Sequence, residues 1–110
     1  MANKYLRKNL TPSAATETAI YTVPSANTAV VSSLRVTNRN ANVATLAINV
    51  YPSGGATAYA LLKGYSLPTS QTMDAFSGVP CILETGDVLK VTSSVATVDF
   101  HMSYLEIDRA

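Results

Sequence analysis

The sequence has no tryptophan, one cysteine (Cys81) and one histidine (His101) in 110 residues. Only 14 % of it is charged, against about 25 % in an ordinary soluble domain. Each shortage removes a class of chemistry. A lone cysteine allows no intrachain disulfide and no thiolate-rich metal site. In "GVPCILE" it sits among apolar neighbours, which predicts a buried, inert thiol. The seven acids, Glu17, Asp74, Glu84, Asp87, Asp99, Glu106 and Asp108, are scattered. Only "ETGD" brings two together, and Gly86-Asp87 there reads as a turn. A calcium loop would need several oxygen ligands in one short segment. Neither a G-x-G-x-x-G nor a G-K-[ST] cradle occurs, so nucleotide binding has no support. The expectation is no metal and no cofactor.

Catalysis is not expected either. His101 lies between Asp99 and Ser103 on one face of a strand. Alternate residues of a strand point outward in parallel, which does not converge on a reacting atom. The formal net charge of +1 gives no global field for nucleic acid. Arg35, Arg39, Lys63, Lys90 and Arg109 form no basic stripe. No apolar run approaches the roughly 20 residues that span a bilayer. The opening "MANKYLRKNL" is broken by charge and lacks a signal peptide's hydrophobic segment. The chain is therefore expected to be made and assembled in the cytoplasm.

What the sequence does have is period-two alternation between turn residues. "ETAIYTVP" reads as a short strand, and "TAVVSSLRVTN" alternates over residues 28 to 38. That pattern predicts Val30, Leu34 and Val36 inward, with Ser33, Arg35 and Thr37 outward. In "VATLAINVYP", Leu46, Ile48 and Val50 share one face. "PSGG" breaks the chain, and "ATAYALLKG", a segment near Gln71 to Phe76, "ILE" and "VLKVTSS" supply further short strands. The last strand places Val98, Phe100, Met102 and Tyr104 on one side. The prediction is an all-β fold: an antiparallel two-sheet β-sandwich, jelly-roll-like, with seven to eight short strands and an extended N-terminal arm. A small closed barrel would suit the same alternation. Residues 1–15 read as arm and linker and residues 16–110 as one sandwich domain.

Two groups of residues are candidates for partner binding. Lys4, Tyr5, Leu6, Arg7 and Lys8 couple three cations to two apolar side chains. They read as a solvated arm or as one that docks on an acidic neighbour. Tyr51, Tyr59 and Tyr65 fall around the Gly54-Gly55 turn. They read as half-buried tyrosines flanking a sheet, or as a patch for protein or sugar. Ser, Thr and Asn in place of charge suit a face that is desolvated against neighbours at low cost.

The segments "YTVPSANTAVVSSLRVTN" and "GDVLKVTSS" carry a resemblance to small virion proteins of tailed bacteriophages. It runs from about Thr16 to Ile107. Its motifs, a "YTVP-x-x-x-T-x-VV-x-S-x-x-V-x-N" opening and a "GD-x-L-x-V-x-S" hairpin, are structural rather than catalytic. The resemblance implies a β-sandwich that binds the major capsid protein or other virion proteins, often as symmetric copies such as a trimer. It implies a capsid decoration (cement) protein on the head surface, assembled in the host cytoplasm. A tail, baseplate or head-fibre component is an alternative, and a carbohydrate-binding module another.

Overall fold

Nine strands carry the alternation in the computed structural model, which describes Asn3–Asp108. They are β1 (Asn3–Leu10), β2 (Thr18–Thr22), β3 (Asn27–Asn38), β4 (Ala44–Tyr51), β5 (Tyr59–Leu67), β6 (Thr72–Asp74), β7 (Cys81–Leu83), β8 (Val88–Ser93) and β9 (Val98–Asp108). One sheet has the order β1-β9-β3-β6, with β7 pairing the other half of β3. The second sheet has the order β2-β8-β4-β5. All pairings are antiparallel. With β6 and β7 counted as two pieces of one position, this is the eight-position jelly roll, not a closed barrel.

The inward faces meet in one core. Val98, Phe100, Met102 and Tyr104 of β9 and Leu46 and Ile48 of β4 are buried, as their alternation predicts. Leu89 and Val91 of β8 and Leu34 and Val36 of β3 complete its middle. Each such side chain contributes about 1.5–3 kcal/mol by leaving water.

Strand β3 departs from simple alternation, because one extra residue interrupts its ladder with β9. Val31 pairs with Tyr104 and Ser33 with Ser103, which leaves Ser32 as a bulge. Its hydroxyl donates to the Ser103 carbonyl oxygen at 3.0 Å. The bulge reverses the phase of the strand. Ala29 and Val31 are buried before it, and Leu34, Val36 and Asn38 after it. Val30, expected inward with Leu34, is therefore on the outer face and only half-buried.

The segment read as arm and linker contains β1. It pairs with β9 from Asn3↔Ile107 to Leu10↔Phe100, and residues 11–17 lead on to β2. Register with β9 puts Lys4, Leu6, Lys8 and Leu10 on the core side and Tyr5, Arg7 and Asn9 on the outer side. Both faces mix charge with apolar groups, so no period-two contrast marks the strand. Asn3 through Asn9 are exposed, and the strand overhangs the second sheet.

The "NRNAN" loop at 38–42 closes one end of the sandwich. Asn38 is fully buried, and its Nδ2 donates to the carbonyl oxygens of Asn42 (2.9 Å) and Leu67 (3.0 Å). Its Oδ1 accepts from the Asn40 backbone N–H at 2.9 Å. Asn40 Nδ2 donates to the Ala96 carbonyl oxygen, and Thr69 Oγ1 to the Asn40 carbonyl oxygen. Three loops are thus tied through two asparagines. At the opposite end Asp87 accepts from the backbone N–H groups of Ser53 and Glu84. Gly86, at φ +83°, lies where a Cβ would come within 3.5 Å of Ser53 Cα.

Two stability outcomes follow from this packing. Deleting Ser32 forces half of β3 to turn its core residues outward, so cooperative thermal unfolding should be lost or fall far in temperature. Ser32→Ala should cost about 1 kcal/mol or less. Equal melting of the deletion and the parent would refute the role of the bulge. Asn38→Ala leaves two carbonyls short of a donor and should cost about 1–3 kcal/mol in urea unfolding.

Candidate partner-binding surfaces

The polar groups on the outer faces are largely engaged with one another. On the β2-β8-β4-β5 sheet the Tyr51 hydroxyl donates to Glu17 Oε1 at 2.6 Å, and Asn49 Nδ2 to Glu17 Oε2 at 2.8 Å. These bonds hold the Glu17 carboxyl below its ordinary value. Lys90 Nζ lies 4.3 Å from the centre of the Tyr51 ring. On the opposite sheet Arg39 clasps Asp99, with Nε on Oδ2 at 2.6 Å and Nη2 on Oδ1 at 3.0 Å. Thr11 Oγ1 adds a donor at 2.6 Å. The Arg39 and Thr11 hydrogen bonds hold the Asp99 carboxyl below the usual range. His101 Nδ1 meets Asn9 Oδ1, while Asp99 is held by Arg39 and Thr11.

Burial accounts for two further tyrosines. Tyr21 and Tyr104 pack with ring centres 4.5 Å apart. The Tyr21 hydroxyl donates to Glu106 Oε2 at 2.6 Å, and Asn27 Nδ2 donates to Oε1 of the same carboxylate. Desolvation, with Glu106 adding, pushes the Tyr21 phenol far up. Among the described residues no buried side-chain polar atom lacks a partner. No three His, Cys, Asp or Glu there are grouped to hold a metal ion.

The first candidate group lies together on β1. Tyr5 is 87 % exposed. With Leu6 and Arg7 it lines a shallow groove of about 370 Å³ that continues over Ser32, Ser103 and Tyr104. The Ser32 bulge thus opens onto the same surface as the edge strand. The second group is not one patch. Tyr59 pairs with Val50 and Tyr65 with Leu46, both core-facing positions of β4, whereas Tyr51 follows on the opposite face. Tyr59 and Tyr65 also stand near opposite ends of β5. Proximity to Gly54-Gly55 in the sequence does not carry across the strand register.

The opposite rim of the sandwich holds an apolar surface that alternation alone did not reveal. Leu61, Ala75, Phe76, Val79, Pro80 and Cys81 line a recess of about 280 Å³. Val79 of this lining is 68 % exposed, and Ile82, next to Cys81 on β7, is 70 % exposed. The apolar run "GVPCILE" signalled it, but its core-like composition suggested burial. β7 is only three residues long, and of these Leu83 alone is buried. Cys81 is consequently half-buried rather than buried. Desolvation, with the negative charge of Asp87 adding, still pushes its thiol up, which disfavours the nucleophilic thiolate.

Comparison with known proteins bears on the fold. No family model matches the sequence, and no curated protein matches it. A chain from Bacillus endospore appendages, described as a novel family of disulfide-linked pili, superposes with a TM-score of 0.56 at 17 % identity. The match covers 99 % of this chain and 88 % of that one. A chain of infectious bursal disease virus, Gx strain, gives 0.57 at 9 % identity over 97 % of this chain. The match spans only 33 % of the viral chain. A pentameric capsid protein isolated from metagenomic phage sequences gives 0.45 at 21 % identity, covering 91 % of this chain and 59 % of that one. The first two share the two-sheet β architecture with this chain.

The surface pairs make acid stability titratable. Glu17 and Asp99 ionise more readily folded than unfolded. Their contribution is complete above the unfolded values, about 4, and is lost as pH falls through the lower folded values. Urea midpoints should therefore drop on acidification below about pH 4, and the drop should be shallower in Glu17→Gln/Asp99→Asn. An unchanged acid slope in that variant would refute the assignment.

Proposed function

We propose that the chain is a non-enzymatic structural protein of a phage virion, and specifically a decoration (cement) protein bound to the outer surface of the assembled head. The observation that carries this reading is the distribution of unsatisfied surface. The sheet faces are rich in hydroxyls and amides, and the acids Glu17 and Asp99 on them are already tied to neighbours. Exposed cations and apolar groups occur side by side on β1, where Lys4, Arg7 and Lys8 flank Tyr5 and Leu6, and exposed apolar groups recur around Val79 and Ile82 and along β5, whereas Arg35 and Arg39 stand singly. A low-charge face loses little on desolvation, and a rim with open strand edges suits contacts to subunits on either side. The jelly-roll architecture shared with the bursal disease virus chain supports the reading at the level of fold.

Binding to the assembled lattice alone would stabilise that lattice by the binding free energy per site. The major capsid protein is then the partner, and several copies around a symmetry axis, a trimer among the options, would share each contact. A tail, baseplate or fibre position is the second reading, since a sheet edge serves any of these. A polymer held by disulfides is disfavoured, because one cysteine cannot link a subunit to two neighbours.

The test is to mix purified protein with emptied heads that lack it, pellet the heads and count copies per shell. Decoration predicts saturation at a fixed multiple of the lattice sites and better survival of heat or low salt. A handful of copies per particle would move the protein to the neck or tail, and no binding would overturn decoration and leave glycan binding as the next reading to test.

A further inference from the structure

We propose that the open edge of β1 is a strand-addition site for an extended acidic segment of the partner protein. The proposal deepens the decoration reading and rests on it only for the partner's identity; strand addition itself needs no heads to be tested. Strand β1 ends its sheet, hydrogen-bonded to β9 on one side only. Half of its backbone N–H and C=O groups therefore face outward along eight residues, which is the template an added strand requires.

Charge selects the occupant. Lys4, Arg7 and Lys8 put three cations on this short edge. On the closed side the register sets an acid, Glu106, opposite Lys4, although its oxygens accept from Tyr21 and Asn27. A second copy of β1 is a poor occupant. Two-fold antiparallel pairing centred on Leu6 would set Lys4 against Lys8, and pairing centred on Arg7 would set Arg7 against itself; pairing centred on Tyr5 avoids both but joins only Asn3–Arg7 among the described residues. Like charges directly opposite one another destabilise a ladder. The same cations that block self-pairing favour a strand with acids at the matching positions.

The register gives the segment a pattern. On the core side β1 presents Lys4, Leu6, Lys8 and Leu10, so cation and apolar group alternate. The incoming strand should alternate acid and apolar on that face, a repeat of four residues along the chain. On the outer side Tyr5 and Arg7 border the groove at the Ser32 bulge, where a further acid meets Arg7. Read antiparallel from Leu10 to Lys4, Val-Thr-Glu-Glu-Val-Thr-Glu satisfies every position.

The test uses the full chain and that heptapeptide, flanked by neutral linkers, with residue-resolved amide exchange as readout. Binding should slow exchange at alternate amides of Asn3–Leu10. A Val-Thr-Lys-Lys-Val-Thr-Lys peptide should bind at least about tenfold more weakly. Lys4→Glu/Lys8→Glu, exposed positions where folding is checked by thermal melting, should reverse that preference. Equal binding of both peptides, binding without alternate-amide protection in β1, or no binding would each overturn the proposal. So would concentration-dependent dimerisation of the free chain that protects the same amides. Head binding without peptide binding would overturn strand addition and leave decoration standing; the reverse would overturn decoration alone.

Discussion

Eleven residue pairs join β3 to β9, and each remaining strand of that sheet hangs from one of these two. β1 pairs with β9, while β6 and β7 divide the far side of β3 between them. The ladder also sets which side chains reach the core. Phe100 and Met102 are opposite Val36 and Leu34, so the largest buried groups of the two strands stack in adjacent pairs. One inserted residue, Ser32, keeps both halves of β3 facing the core although the ladder slips there. Without it, Ala29 and Val31 could be buried only if Leu34 and Val36 were not.

The same constraint explains why the interesting surface lies at the rims. Two sheets of four positions cover each other's middles, while β1 and most of β5, at their edges, stay exposed. β1 projects beyond the core at one rim, and the β6–β7 connection exposes Val79 and Ile82 at the other. One rim is basic and the other apolar, so the chain has two chemically different places at which to meet neighbours.

How much of this was legible depends on whether a strand shows one contrast or two. β4 and β9 have an apolar face against a polar one, and their inward residues were read from alternation alone. β3 is legible, but a bulge leaves no mark in composition, so simple alternation puts Val30 on the wrong face. β1 has no buried face and so carries no strand signature, although its charge marks its residues. The tyrosine group failed for a different reason. Sequence distance across a turn does not reveal that Tyr51 and Tyr59 lie on opposite faces. Asn38 ends an alternating run with nothing in its identity to mark it, and only its burial and hydrogen bonds show it as the knot of three loops.

The account turns on β1 being an edge strand with one closed and one open side. Amide hydrogen exchange of the free chain, resolved along Asn3–Leu10, tests that most directly. The account predicts a two-residue rhythm, with amides bonded to β9 exchanging slowly and those on the open side fast. Uniformly fast exchange across all eight residues would contradict it, because β1 would then be a loose tail offering neither a rim nor a template.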